Sequence, residues 1–422
     1  MAIHVVQKGD SLWQIARRYD VTVESLMKAN GLQSDLLMPG LALYVPTPTL
    51  TRKFYQIKPG DTLWNIAQFF QTTVSTIFDA NDGLDVDQLE VGRTIDVPTI
   101  EKMEMETLGF FVPYSLADFF EKFPTYSQQL TYLAVVSYSL RADGKLVVLL
   151  DDRGIAEACR ARGVMPLAMV RNVLENGEFR PELVGQMLKS RAAQERFIEQ
   201  VIAMLDEKRY EGVSIDFEFI PPDARREYVE FLRALKRRLG GRLLHVNVHS
   251  KTEESYTNPI TGGQDYAGIG DVADIVAVMT MDYGYPGGPP NPVAPIDWME
   301  RVIRFAIAHI DRRKLQVGFP LYGYDWDVTT LETTGLSLLA AQNRAIQQRV
   351  SIEFEEKTQS PFYEYWQNTT AHAVWFDDIR SFNAKYKLVD FYKLRGVTFW
   401  ETRLDFPQNW AYIDAHVTVV KK

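Results

Sequence analysis

The sequence predicts an α/β protein, a (β/α)8 TIM barrel preceded by two small βααβ modules, and three observations carry that prediction. A 27-residue stretch beginning at His4 is echoed 51 residues later at Tyr55. From Glu101 onward, eight apolar strand-like runs alternate with amphipathic helical stretches. One of those runs, YEGVSIDFEF from Tyr210 to Phe219, carries acids where a buried strand normally has none.

The repeat comes first in the chain. HVVQKGDSLWQIARRYDVTVESLMKAN and YQIKPGDTLWNIAQFFQTTVSTIFDAN each open with a short β-like run and turn at Gly9-Asp10 or Gly60-Asp61. A helix follows, capped by Ser11 or Thr62 or by the preceding Asp. Leu12, Ile15 and Ala16, matched by Leu63, Ile66 and Ala67, supply helical spacing. A second short helix ends near Asn30 or Asn81, and a closing strand ends at Pro46 or Pro98. The expected division is 1–49 and 52–99 for the modules and 101–422 for the barrel, with a short connection at 99–105 that leaves limited hinge freedom.

The eight barrel strands are expected at Thr107 to Val112, Tyr132 to Tyr138, Val164 to Val170, Gly212 to Phe219, Leu243 to His249, Ile275 to Met281, Leu315 to Tyr322 and Gly396 to Trp400. Between them lie helices such as Arg225 to Leu239, with a stripe of Tyr228, Phe231, Leu232 and Leu235. An open doubly wound sheet would require a Gly-rich phosphate loop after an early strand, and none is present. The long segment from Asp325 to Leu394, with FYEYWQ and AVWFDD, predicts an added hairpin and an aromatic wall that includes Trp366 and Trp375.

Strand alternation places Ser214, Asp216 and Glu218 on one face of the fourth strand, with Val213, Ile215, Phe217 and Phe219 on the other. Beside an ionised Asp216, Glu218 would hold its proton more tightly and could donate it to a leaving oxygen. Barrels of this type put their chemistry at the C-terminal ends of the strands, where Glu218 falls.

Composition narrows the partners. A net charge of -9 speaks against nucleic acid, and the first 100 residues hold 8 basic and 11 acidic groups, so they form no cationic anchor. No run approaches the roughly 18 apolar residues of a membrane span, and no secretory signal is visible. Cys159 is the only cysteine, and none of the six scattered histidines falls in a ligand-spaced pair with another ligand type, so neither disulfide, metal nor cofactor is expected.

The repeats resemble the LysM module, through KGDSLWQIA and PGDTLWNIA, the downstream Asn30 and Asn81, and the turns Met38-Pro39-Gly40 and Glu90-Val91-Gly92. That resemblance implies binding of N-acetylglucosamine-containing glycans in a groove formed by Gly9, Asp10, Ser11, Leu12 and Met38 in one unit. Gly60, Asp61, Thr62, Leu63 and Val91 are the equivalents in the other. The same glycines and aspartates would serve equally to build a turn and a cap. The barrel resembles glycoside hydrolase family 18, and within it the LysM-bearing spore cortex-lytic N-acetylglucosaminidases. The matching segments are EGVSIDFE, MTMD at Met279 to Asp282, GFPLYG at Gly318 to Gly323 and GVTFWE at Gly396 to Glu401.

This resemblance implies substrate-assisted retaining hydrolysis, in which the sugar's 2-acetamido carbonyl attacks the anomeric carbon. Glu218 would be the acid and base, Asp216 would orient the acetamido group, and Trp400 would floor the subsite of the distorted sugar. Asp282, Tyr283, Tyr322, Asn172, Asn247 and Ser214 are the further candidate substrate-binding residues, Ser214 as a donor to Asp216. Two departures stand out: Ser214 replaces a middle Asp, and Met281 replaces a Tyr for which Tyr283 has the right parity. The expected function is a monomeric peptidoglycan hydrolase of the spore cortex, coat or cell wall. A chitinase or an inactive glycan-binding wall protein are the alternatives.

Overall fold

The computed structural model describes residues 2–47, 51–70, 72–85, 89–99 and 102–422. The expected boundaries at 1, 49 and 101, and the middle of the 99–105 connection, lie outside the described residues.

Each repeat folds as βααβ. In the first, Ala2–Val5 pairs antiparallel with Ala42–Val45 around helices Leu12–Arg18 and Val23–Asn30. In the second, Thr51–Gln56 pairs with Thr94–Thr99 around Leu63–Phe69 and Val74–Asp79. The recurring Asn has a physical reason. Buried Asn30 donates from Nδ2 to the carbonyls of Leu26 and Tyr44 (2.7 and 2.8 Å) and accepts from the Tyr44 N–H at 2.7 Å, tying the second helix to the closing strand. Asn81 repeats this with Ile77 and Asp96.

The barrel strands are β1 (Met103–Phe111), β2 (Tyr132–Leu140), β3 (Met165–Arg171), β4 (Gly212–Asp216), β5 (Leu243–His249), β6 (Ile275–Met279), β7 (Leu315–Pro320) and β8 (Gly396–Trp400). All are parallel and hydrogen-bonded in chain order, and β8 returns to β1, which closes the cylinder. Alternation sorts the side chains. Leu108, Phe110, Tyr132, Ala134, Leu167 and Met169 fill the interior, while Phe111, Leu133, Val170, Ile215, Val246 and Val248 pack outward under the helices.

The fourth strand is shorter than its apolar alternation suggests. It ends at Asp216, and the backbone then turns through Phe219 at φ 54°, so Glu218 sits on the loop just past the strand rather than on its face. Phe219, expected in the outer layer, is only partly buried and lies with its ring 5.2 Å from that of His249. The segment after β7 is also larger than a hairpin. It forms a five-stranded antiparallel sheet (Tyr322–Asp327, Thr333–Ser337, Glu353–Glu355, Ser360–Gln367 and Thr370–Trp375) with helix Leu338–Gln348. Trp375 stacks on Phe362 in that sheet, with ring centroids 4.4 Å apart, and Trp366 faces solvent.

The two modules relate differently to apolar packing. Leu12, Leu26, Leu43 and Val45 of the first belong to the same continuous core as the barrel's outer layer, and Tyr44 packs edge-on against Tyr412. Gln408 donates to Asn30 Oδ1 and the Ala42 carbonyl (2.7 and 2.8 Å), the Ile352 N–H donates to the Pro39 carbonyl at 2.9 Å, and Arg380 reaches the Gly40 carbonyl at 3.2 Å. Gly40 has φ 85°, and a Cβ there would fall 1.8 Å from the Ile352 carbonyl oxygen, so only glycine fits this seam. The second module keeps a separate core of Ile57, Leu63, Ile66, Ile77, Ile95 and Val97. Among the described residues, no helix is long and apolar enough to cross a membrane.

Candidate active site

Asp216 ends β4 with 3% of its surface exposed, and the Glu218 side chain is 15% exposed. Their enclosure sets their chemistry, because burial removes the water that would stabilise a charged carboxylate. Burial pushes Asp216 up to about 7, with the Arg171 guanidinium pulling the other way. Glu218 is pushed well above the ordinary range by burial first, then by the charges of Asp216 and Asp282, again opposed by Arg171. Asp216 is therefore not the simple ionised neighbour the sequence suggests. Both carboxyls are held above their ordinary range, and Glu218, which burial and the Asp216 charge both push up, keeps its proton the more firmly.

Backbone clamps fix this pair. Asn172, just past β3, donates from Nδ2 to the Glu218 carbonyl at 2.9 Å and accepts from the Glu218 N–H at 2.8 Å. Its Nδ2 also reaches the Arg180 carbonyl at 3.1 Å, and its surface is wholly buried. Expected to bind substrate, Asn172 instead sits behind the site and holds the Glu218 peptide. Ser214 also differs from expectation: its Oγ pairs with His245 Nδ1 at 2.8 Å and accepts from Asn247 Nδ2 at 3.3 Å, with no hydrogen bond to Asp216. The register explains this, since Ser214 and His245 are direct neighbours across β4 and β5. Asn247, 2% exposed, is thus part of the interior polar layer rather than the cleft surface.

At the rim, the Tyr322 and Tyr324 hydroxyls both donate to Asp282 Oδ1, at 2.6 and 2.9 Å. Partial burial raises Asp282 and these two bonds lower it, while solvent at the rim screens both effects. Asp282, Tyr322, Tyr324, Ser337, Trp400 and Glu401 line an open cleft of about 330 Å3. Trp400 ends β8, with its ring 5.4 Å from Phe110 at the top of the interior layer. Glu401 follows, accepting from the Val112 N–H at 3.2 Å and pairing with Arg403 at 2.9 Å. Tyr283 is 46% exposed, with its ring 5.5 Å from Trp298, and is not among the residues that line this cleft. A larger hollow of about 560 Å3, lined by Tyr132, Glu211, Arg242 and Arg395, opens at the opposite end of the barrel, far from both acids.

In the modules, the cap and turn account covers most of the predicted groove side chains. Ser11 forms a capping box with Gln14, and Thr62 accepts from the Asn65 N–H at 3.1 Å. Asp10 accepts from the Gln7 N–H and pairs with His4, both at 2.8 Å, while Asp61 accepts from the Lys58 N–H and the Tyr55 hydroxyl. Leu12 and Leu63, each 3% exposed, are core residues and not groove contacts. Gly9 and Gly60, both with positive φ and open space around them, leave backbone accessible; Met38 is half-buried and Val91 is 62% exposed.

Three residues of the site escaped the sequence reading: Arg171, His249 and Tyr324. Each carried a signal in strand parity. Arg171 is in step with interior Met169 and is the register partner of Asp216, His249 is in step with His245 and Asn247, and Tyr324 is in step with Tyr322.

A closed parallel barrel with an enclosed acid pair at its C-terminal mouth, next to an aromatic platform, defines a glycosidase. Sequence comparison agrees. The profile of the glycosyl hydrolases family 18 matches residues 182–405 and that of the LysM domain matches 4–46 and 55–98, so this chain belongs to family 18 and carries two LysM modules. It is similar to the cortical fragment-lytic enzyme of Bacillus subtilis (strain 168), with 30% identity over 100% of this chain and 99% of the relative. The cortical fragment-lytic enzyme of Bacillus anthracis is 29% identical over the same shares. The crystal structure of the Bacillus megaterium QM B1551 spore cortex-lytic enzyme SleL superposes with a TM-score of 0.85 at 28% identity, covering 100% of this chain and 99% of that one.

Proposed function

We propose that this glycosidase cleaves β-1,4 bonds after N-acetylglucosamine in peptidoglycan, with spore cortex as its substrate, by a substrate-assisted retaining mechanism. The observation that carries the reading is the enclosed pair in which Glu218 keeps its proton at neutral pH beside Asp216. In the first step Glu218 protonates the glycosidic oxygen while the sugar's own acetamido carbonyl closes on the anomeric carbon and the leaving alcohol departs. Asp216 receives the acetamido N–H and balances the positive charge of the oxazolinium that forms. In the second step ionised Glu218 takes a proton from water, which opens the oxazolinium with the original configuration restored. Trp400 provides the apolar face under the reacting sugar, and Asp282, held by Tyr322 and Tyr324, accepts a sugar hydroxyl or amide proton.

Cortex is favoured by the relatives named for cortical fragments and by their full-length match, which includes both modules. The division into 1–49, 52–99 and 101–422, binding of the wall glycan by the modules, and a place in the spore or cell wall belong to the same proposal. Mass spectrometry of products from purified spore cortex and from chitin oligomers tests it. Muropeptides newly ended in N-acetylglucosamine, formed faster than chitin is cut, support the reading, whereas turnover of chitin alone replaces it with a chitinase.

A further inference from the structure

The mechanism above leaves one enclosed nitrogen without a role. His249, the last residue of β5, has its Nε2 3.4 Å from Glu218 Oε2, and that nitrogen has no hydrogen-bond partner in the structure. The residue is held from both sides of its backbone: its N–H donates to Gln264 Oε1 at 2.8 Å, and its carbonyl accepts from the Tyr266 hydroxyl. The Phe219 ring packs beside the imidazole, with centroids 5.2 Å apart and the planes tilted by 44°. These backbone anchors set where the imidazole starts, and its unpartnered nitrogen lies against the Glu218 carboxyl. Burial pushes the imidazole down to about 4, so at neutral pH it carries no charge.

We propose that His249 is a positioning residue for the acid step: its Nε2 receives the hydrogen bond of the protonated Glu218 carboxyl and keeps the proton aimed at the mouth of the barrel until a glycosidic oxygen takes it. The inference rests on Glu218 being the acid. At 3.4 Å the pair is loose at rest, and a small rotation of the carboxyl closes it, as expected for a catalytic contact that tightens when substrate arrives. A neutral acceptor suits the task. A cation there would draw the proton off Glu218, and an apolar side chain would leave the carboxyl free to swing toward Asp216.

The leaving group separates this role from mere support. A departing sugar hydroxyl needs the proton, whereas a nitrophenolate leaves with little help. Wild type, His249→Leu, His249→Gln and Glu218→Gln are compared on N-acetylglucosaminyl glycan from cortex and on the p-nitrophenyl glycoside of N-acetylglucosamine. The expected result for His249→Leu is a roughly 10- to 100-fold loss of kcat on glycan with KM within about twofold, and a loss of less than about threefold on the aryl glycoside. His249→Gln, which keeps an acceptor, should restore most of the glycan rate. Equal losses on both substrates, or no loss on either, overturn the inference. A Glu218→Gln variant that cuts glycan at the wild-type rate overturns instead the acid assignment beneath it, and melting curves show that each variant is folded.

Discussion

Asn172 and Glu218 exchange two hydrogen bonds, side-chain amide to peptide in both directions, at 2.9 and 2.8 Å. Glu218 has left the sheet at this point, so no neighbouring strand holds its peptide and Asn172 does so instead. Replacing it with Ala leaves a buried N–H and carbonyl without these partners, at a cost of about 1–3 kcal/mol. Asn172→Ala should melt earlier and lose kcat by about tenfold or more, as a misplaced acid does. A loss confined to KM would place Asn172 on the substrate side after all.

The acid pair makes stability depend on pH. Asp216 titrates near 7 in the fold against an ordinary 3.8. The fold therefore binds this proton more tightly than the unfolded chain does. That contribution is fully present below about pH 4 and is lost as pH rises through about 7. Asp216→Asn carries no such loss. Its stability should match wild type near pH 4 and exceed it at pH 8, by an amount on the order of 2–4 kcal/mol read from denaturant melts, while its activity falls. A gap that is constant across this range would contradict the burial account.

The seam between the first module and the barrel turns on Gly40. A methyl group there meets the Ile352 carbonyl and requires φ 85° of an L-residue. Gly40→Ala should loosen the seam and let limited proteolysis release a fragment containing both modules, with the barrel left intact. The equivalent Gly92 has φ 91° and open space, so Gly92→Ala strains its turn without touching the barrel and should release no fragment.

Two phenols hold Asp282 at the rim. With Tyr322→Phe and Tyr324→Phe combined, the carboxyl loses both donors, and its pKa rises further because those bonds oppose its desolvation. Steady-state kinetics should show kcat/KM down by about tenfold or more, the single variants less. Double and single variants with unchanged kcat/KM would remove Asp282 from substrate contact.

Much of the barrel was legible because strands buried on both faces read as apolar runs, and β5 and β8 fall at the expected residues. The end of β4 was not legible: Phe217 and Phe219 continue the alternation after the backbone has turned away. The sheet after β7 exceeds the expected hairpin because Thr333–Ser337, TTGLS, has almost no apolar signal of its own. Docking of the first module was invisible for a different reason. It depends on Asn30, Gln342 and Gln408, ordinary polar residues that meet only after 312 to 378 residues of chain separation. Within the site, the motif located both acids, while Arg171 and His249 beside them lie on other strands, where parity with the interior residues is their one signal and no motif marks them.

The central claim is that Glu218 supplies the proton and the substrate supplies its own nucleophile, and the configuration of the first product reports on it most directly. Proton NMR of cortex fragments in the first minutes of hydrolysis should show the new N-acetylglucosamine reducing end as the β-anomer, which then mutarotates. An α-anomer appearing first would mean direct attack by water on the sugar, and the account would fail.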